Sequence, residues 1–315
     1  MKKVTVVGSG IVGLTSAILL QEAGFQVKII AREKFDKTVS SKVGAIWFPF
    51  EILPKEKTNA WARMAYERYE SEHTENNGLS FIPFITAYNA ESNTDWTSQL
   101  PQGRVREAFS NELPDGMEKA FISIVPLAEP LKYLPNLFQQ FLDNGGSFYQ
   151  QEIISLSETS KLDKYVINCT GLGAKKLCQD NALHPMRGQI LRCASLPLIS
   201  FANTLNKGAL SYVIQRSEDC IVGGTDYEND WNEEIDPKDT ALILERLKLA
   251  GVKDKPEILE EIVGFRPRRN EVRFEFDPFY PNVFHNYGHG GAGFTVAWGC
   301  AIELADIMNQ KGLSK

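Results

Sequence analysis

Val4-Thr-Val-Val7 runs into Gly8-Ser9-Gly10-Ile11-Val12-Gly13, four β-branched residues followed by three glycines at GxGxxG spacing. A short β-branched run ending in glycine reads as a parallel strand buried on both faces. In the turn after it, the first glycine permits the tight reversal. The second lets backbone approach a pyrophosphate, and the third lets helix and strand pack closely. Residues 11–23 are apolar on most faces and stop before Gly24, and residues 26–31 read as a second strand, completing one βαβ unit. A helix opening at the glycine turn presents N–H groups and partial positive charge to phosphates. Glu33 lies about twenty residues beyond Gly13, where an acid takes a ribose hydroxyl. Together these features imply dinucleotide binding, and the motif alone does not separate FAD from NAD.

Outward from this unit, residues 40–50 collect small side chains and then Trp47, Phe48 and Phe50, as a loop crossing a ligand would. Residues 56–72 carry Trp61, Ala65 and Tyr69 at helical spacing. Residues 79–113 are polar and irregular, and a surface excursion is expected there. A strand is expected at 121–125, an amphipathic helix at 130–144 stopped by Gly145-Gly146, and a strand at 148–156. Residues 165–170 form an apolar strand. The middle of the chain then looks antiparallel, with a strand at 188–193 and a hairpin pairing 210–215 with 220–224. A helix at 238–250, a strand-like stretch at 261–275 and a strand at 283–287 lead to a second glycine turn, 288–293. That turn opens a last helix at 294–308. Two glycine-lined helix starts, one near each end of the chain, suit the length of FAD better than that of NAD.

The fold class expected is therefore α/β, a Rossmann-like FAD-binding domain interleaved with an antiparallel-sheet α+β substrate domain. The discontinuous FAD-binding part is expected at 1–50, 130–182 and 262–315, and the substrate-binding part at 51–129 and 183–261.

Composition narrows the class further. The 315 residues carry a net charge of −6, and without a Lys/Arg run such a chain repels nucleic-acid phosphates. Cys169, Cys178, Cys193, Cys220 and Cys300 are scattered with no CxxC pair, which argues against a disulfide framework and a zinc site and for buried reduced thiols. The three glycines break up the apolar stretch after Met1-Lys2-Lys3, so it reads as strand, turn and helix rather than as a leader. No apolar run reaches membrane-spanning length. The final Gly312-Leu313-Ser314-Lys315 is one leucine short of a peroxisomal Ser-Lys-Leu. A cytoplasmic protein with no nucleic-acid or membrane partner is expected, with a homodimer left open.

Four further segments occur in order along the chain: Val166-Ile-Asn-Cys-Thr-Gly171, Arg187-Gly-Gln189, Gly264-Phe-Arg-Pro267 and His285-Asn-Tyr-Gly-His-Gly-Gly-Ala-Gly293. With them the whole chain resembles the D-amino acid oxidase family, which includes D-aspartate oxidase. Ala45-Ile-Trp-Phe-Pro49 resembles its flavin-facing loop, and Asp230-Trp231-Asn232 the segment after its paired glycines, here Gly223-Gly224. The resemblance implies an FAD enzyme that takes a D-amino acid and dioxygen to a 2-oxo acid, ammonia and hydrogen peroxide. Hydride passes to flavin N5, so no strong protein base is needed. It implies that Arg266 clamps the substrate carboxylate, its planar fork matching two oxygens. Tyr212 gives that carboxylate another hydrogen bond, and the Gly291 carbonyl accepts from the amine. The competing readings are a surface arginine among Arg268, Arg269 and Arg273, and a half-buried strand tyrosine. Besides Gly8, Ser9, Gly10, Ile11, Val12 and Gly13, the implied flavin contacts are Arg32, Glu33, Ser40, Ser41, Ala45, Ile46, Ile153, Thr170, Gly290, Gly291, Gly293, Phe294 and Thr295. Phe48, Ile214 and Asp226 fall at the side-chain end of the substrate.

Two departures qualify the resemblance. Mammalian members carry a second tyrosine four residues before the one matched by Tyr212. Here that place is held by Gly208 or a neighbour such as Leu210, which implies a reduced lid. D-aspartate oxidases carry arginine directly after the Gly-Gly-Thr corner, where this chain has Asp226. A carboxylate there repels acidic substrates, so neutral or basic D-amino acids are expected. The alternatives are a D-aspartate oxidase, a glycine- or sarcosine-type amine oxidase, a dehydrogenase reducing a quinone, and a non-catalytic flavin-binding protein.

Overall fold

Five strands pair in parallel in the order Ser147–Gln150, Gln26–Ala31, Lys3–Val7, Tyr165–Asn168, Val283–His289. Counted along the chain this is the order 3-2-1-4-5 of a doubly wound nucleotide-binding sheet. The computed structural model describes residues 2–49, 52–205 and 211–313, which leaves Phe50, Gly208, Leu210, Ser314 and Lys315 outside the described residues. The chain divides into two units, residues 1–79, 128–184 and 266–315, and residues 80–127 and 185–265.

In the first unit, Val4 and Val6 are wholly buried and Val7 nearly so, as a strand covered on both faces demands. The helix Ile11–Glu22 leaves the end of this strand and packs on the helices Pro130–Asp143 and Gly293–Leu313. Its small and apolar residues Gly13, Leu14, Thr15, Ser16, Ala17 and Ile18 are all buried. The helix Lys55–Glu72 also packs on Gly293–Leu313 through Trp61, Ala62, Ala65, Tyr66 and Tyr69. Contact is so close that a Cβ on Gly299 would lie 2.2 Å from the Trp61 carbonyl oxygen. The expectation placed this helix in the substrate part. Its aromatic face puts it in the first unit instead.

The second unit is built on the antiparallel neighbours Ser200–Asn203, Ser211–Gln215, Asp219–Gly223 and His184–Ala194. Ser211–Gln215 and Asp219–Gly223 form the expected hairpin. Leu191, Cys193, Val213, Cys220 and Val222 make a core with Ile243 and Leu247 of the helix Pro237–Leu249. Each such buried aliphatic contributes about 1.5–3 kcal/mol relative to exposure. The long strand Ile258–Phe276 runs through the boundary, its residues up to Phe265 in the second unit and the remainder in the first.

Two expectations for the middle of the chain are corrected. Residues 79–113 are not a plain excursion: Leu79–Ala87 is a nine-residue strand whose Phe84–Thr86 stretch runs parallel to Ser200–Ala202. Pro83 sits just before that paired stretch. The strand expected at 148–156 is only Ser147–Gln150, followed by a short helix, Leu156–Thr159. There Ser155 caps the helix by accepting from the Glu158 N–H. Among the described residues no helix is long and apolar enough to cross a membrane.

Candidate active site

At the glycine turn of the first unit the backbone is packed against itself. Gly8 has φ +115°, and a Cβ there would lie 2.4 Å from the Cys169 carbonyl oxygen. A Cβ on Gly13 would lie 2.1 Å from the Gly8 carbonyl oxygen, and one on Gly10 would touch Ser40 Oγ at 3.0 Å. The helix Ile11–Glu22 thus begins behind a cap residue, Gly10, that has no side chain to cover its N–H groups. Ser40 Oγ accepts from the Ile11 N–H at 3.1 Å, and the buried Ser9 hydroxyl donates to the Glu33 carbonyl at 2.6 Å. Val12, in the first turn of this helix, is half-buried. The Glu33 carboxylate remains 44% exposed, 3.9 Å from Arg32, which in turn lies 4.0 Å from Glu152. Ser41 directs its hydroxyl into its own turn, donating to the Asp36 and Thr38 carbonyls.

The second glycine turn comes to the same place. A Cβ on Gly293 would lie 3.5 Å from Ile11 Cγ2, and Thr15 Oγ1 donates to the Ala297 carbonyl at 3.3 Å. The helices Ile11–Glu22 and Gly293–Leu313 therefore start side by side, so two positive helix ends meet in one spot. Tyr69 donates to the Phe294 carbonyl at 2.7 Å. Thr295 Oγ1 donates to the Phe48 carbonyl and accepts its N–H, pinning the loop that holds Ile46 and Phe48, both half-buried. Ala45 in that loop has φ +54°, and its carbonyl accepts from the Ala128 N–H. Ile153 packs on Val7, Val166 and Val283 below the turn. Arg266 runs past the second turn, since a Cβ on Gly291 would lie 3.5 Å from its Cδ and 3.8 Å from its Nε. The Gly290 N–H donates to the Pro267 carbonyl at 2.9 Å, holding turn and strand together.

Sequence reasoning missed a buried relay beneath this turn. Asp277 Oδ2 lies 3.0 Å from His285 Nε2, and His285 Nδ1 lies 3.1 Å from Asn168 Nδ2. A carboxylate only accepts, so Nε2 carries the proton and Nδ1 accepts from the amide. Asn168 Oδ1 in turn accepts from the N–H and hydroxyl of Thr170 at 3.2 and 2.8 Å. Burial lowers the pKa of His285, which keeps the ring neutral as this arrangement needs. Burial acts to raise Asp277, but hydrogen bonds from His285, Phe279 and Tyr280 outweigh it and leave the carboxyl below its ordinary value. The partners lie 117 residues apart in the chain, and no local pattern announces such a pairing.

In the second unit, Tyr212 is the register partner of Gly223, and the ring rests on the paired glycines. A Cβ on Gly223 would lie 2.1 Å from Tyr212 Cζ, and one on Gly224 would lie 3.2 Å from its hydroxyl oxygen. Ile214 follows on the same strand face and is buried. Arg246 donates to the Gly224 carbonyl at 3.0 Å, and Thr225 Oγ1 accepts from the Gln189 N–H at 2.9 Å. Asp226 follows, half-buried.

Burial pushes the Cys169 thiol up to about 12 and the Cys193 thiol up to about 11, so neither is a thiolate nucleophile near neutrality. Among the described residues no group of His, Cys, Asp and Glu is placed to hold a metal.

A 3-2-1-4-5 parallel sheet whose first strand ends in a glycine cradle beneath a helix start defines a dinucleotide-binding protein of the Rossmann type. The sequence profile of the FAD dependent oxidoreductase family matches residues 3–307, and the chain belongs to that family. FAD is its cofactor. The residues fit that group: Gly8 and Gly13 let strand and helix close tightly, Gly10 leaves the helix start without a side-chain cap, and the paired helix starts suit a doubly charged pyrophosphate. The chain is 34% identical to a D-amino-acid oxidase of Rubrobacter xylanophilus, over 97% of this chain and 95% of that one. It is 32% identical to a D-amino-acid oxidase of Streptomyces coelicolor, over 98% and 97%. Its fold is similar to that of glycine oxidase from Bacillus cereus, with a TM-score of 0.80 at 16% identity, covering 99% of this chain and 96% of that one.

Proposed function

We propose that the chain oxidises neutral or basic D-amino acids to 2-oxo acids, releasing ammonia and hydrogen peroxide. The single observation that carries this reading is the side-by-side placement of Arg266 and Gly291. A guanidinium fork beside a main-chain carbonyl offers partners for the carboxylate and the amine on one α-carbon. FAD, when bound, supplies the two-electron acceptor that dioxygen reoxidises. Arg266 binds and orients the carboxylate, Gly291 accepts from the amine, and the Tyr212 hydroxyl gives the carboxylate a further hydrogen bond.

The first unit is the FAD-binding part and the second the substrate-binding part. Gly8, Ser9, Gly10, Ile11, Val12, Gly13 and Gly293 cradle the pyrophosphate, Glu33 takes a ribose hydroxyl, and Ala45, Ile46, Thr170, Phe294 and Thr295 line the flavin. Phe48, Ile214 and Asp226 meet the substrate side chain. The stretch 226–236 holds six carboxylates and no lysine or arginine, a field that favours cationic over acidic side chains. The test is a panel of D- and L-amino acids with peroxide detection. Peroxide from D-Ala, D-Phe or D-Arg at higher kcat/KM than from D-Asp, glycine or any L-amino acid supports the reading. D-Asp or glycine as the best substrate overturns it.

A further inference from the structure

Arg187 is 1% exposed, and its side-chain hydrogen bonds run to one stretch of chain and to the residues that brace it. Its Nε donates to the Asn232 carbonyl at 2.8 Å and its Nη2 to the Glu234 carbonyl at 2.7 Å. Its Nη1 meets Asp239 Oδ2 at 2.7 Å, in the first turn of the helix Pro237–Leu249. Gln189 stands two residues along the same strand face and is fully buried. Its amide accepts from the Asp236 N–H at 2.8 Å and donates to the Asp236 carbonyl at 3.0 Å and to Thr240 at 2.8 Å. At the near end, the Thr225 N–H donates to the Gln189 carbonyl at 3.2 Å. Tyr227 closes the set by donating to Asp239 Oδ1 at 2.7 Å. Burial and that bond push its hydroxyl up to about 12, so it is a donor at neutral pH.

The stretch so held pairs with the strand His184–Ala194 at Tyr227–Glu228, and its charge opposes compact folding of the remainder. It contains Asp226, Glu228, Asp230, Glu233, Glu234 and Asp236 with no lysine or arginine, and like charges at that density extend a chain. Arg187 sits beneath it as the counter-charge, 3.8 Å from Asp230 and 2.7 Å from Asp239. It also supplies donors to two main-chain carbonyls in an irregular loop, which removes the cost of burying them unpaired.

We propose that Arg187, braced by Gln189 and the Tyr227–Asp239 bond, is a positioning residue that holds the 226–236 loop and thereby sets discrimination among substrate side chains rather than the rate of turnover. The second half of this statement rests on the reading of Asp226 given above. A carboxylate discriminates by charge only if its distance from the substrate is fixed, because Coulomb energy falls with separation and with hydration. A loosened loop lets Asp226 drift into water, where a cationic and a neutral substrate look more alike.

The test uses the flavin-loaded protein and its Arg187→Lys and Tyr227→Phe variants. Lysine keeps the charge but loses the fork, and Tyr227→Phe removes one partly exposed hydroxyl, which guards against loss of folding. Amide hydrogen exchange is read over 226–236, and kcat and KM are measured for D-Arg and D-Ala. Exchange in Tyr227→Phe should quicken by about three- to tenfold, the population change that one net hydrogen bond is worth, and by more in Arg187→Lys. The ratio of KM values for the two substrates should move toward one while kcat stays within about twofold. Unchanged exchange in both variants overturns the hold. Quickened exchange with an unmoved KM ratio, or with kcat falling equally for both substrates, overturns the link to discrimination. Asp226→Asn separates the two layers. If it leaves the ratio unmoved, the reading of Asp226 fails, and the hold is then decided by exchange alone.

Discussion

A methyl group on Gly223 would sit 2.1 Å from Cζ and 2.3 Å from the hydroxyl oxygen of Tyr212. The tyrosine therefore rests directly on main chain that only glycine provides, and its hydroxyl position is set by that contact. Gly223→Ala should displace the ring. Overpacking of this kind costs about 1–3 kcal/mol, so KM should rise by about tenfold or more while bound flavin, read from its visible absorbance, stays unchanged. A variant with wild-type KM would show that Tyr212 does not hold substrate.

The glycine cradle should behave in the opposite way. Gly13→Ala brings a Cβ to 2.1 Å from the Gly8 carbonyl oxygen and 2.8 Å from its carbon, main-chain atoms with no side-chain freedom to yield. FAD affinity should fall by at least about tenfold, and the protein should purify largely colourless. Flavin content per chain, measured after gel filtration, checks this.

Arg266→Ala removes a charge-assisted two-point grip, each hydrogen bond to a charged group being worth about 1.5–3 kcal/mol. A loss in kcat/KM of about a hundredfold or more is expected, with flavin retained. Unimpaired turnover in a yellow variant would refute the clamp.

Asp226→Arg should reverse the charge preference. A favourable ion pair in place of a repulsive one at a partly hydrated site is worth a few kcal/mol, so kcat/KM for D-Asp should rise by about tenfold or more and that for D-Arg should fall. Parallel changes for both substrates would mean that Asp226 acts on the fold and not on the side chain.

His289 contributes a pH dependence of stability. It is 4% exposed, 3.6 Å from Cys300 Sγ, and burial lowers its pKa to about 4, against about 6.5 in an unfolded chain. Between these values the unfolded state binds the extra proton, so unfolding free energy falls as pH drops from about 6.5 to about 4. The loss is on the order of 3 kcal/mol for this group, and the full stabilisation is present above about 6.5. His289→Gln should flatten the slope of Tm against pH across that window, whatever it does to Tm at neutral pH. An unchanged slope would assign the acid sensitivity to other groups.

Much of the first unit was legible because its signals are local. Val4 to Val7 must be buried on both faces, and Gly13 answers to the nearby Gly8 carbonyl, a demand that the motif spacing carries. The hairpin that brings Tyr212 onto Gly223 follows from alternation and a polar turn. What was not legible depends on distant partners. Leu79–Ala87 was hidden by Pro83 and polar flanks, and becomes a strand through pairing with Ser200–Asn203. The helix Lys55–Glu72 belongs with the first unit because of a surface supplied by Gly293–Leu313. His285 and Asn168 meet across 117 residues, and Arg187 meets Asp239 across 52. Motif spacing marked the stretches in which these residues lie without saying what they do.

The most direct test of the account is an anaerobic titration of the flavin-loaded protein with matched D- and L-amino acids, followed in the visible flavin band. D-Ala and D-Arg should bleach the flavin, the L-isomers should not, and admitting dioxygen should restore the colour with release of hydrogen peroxide. Bleaching by the L-isomers, or no bleaching by any D-amino acid, would contradict it.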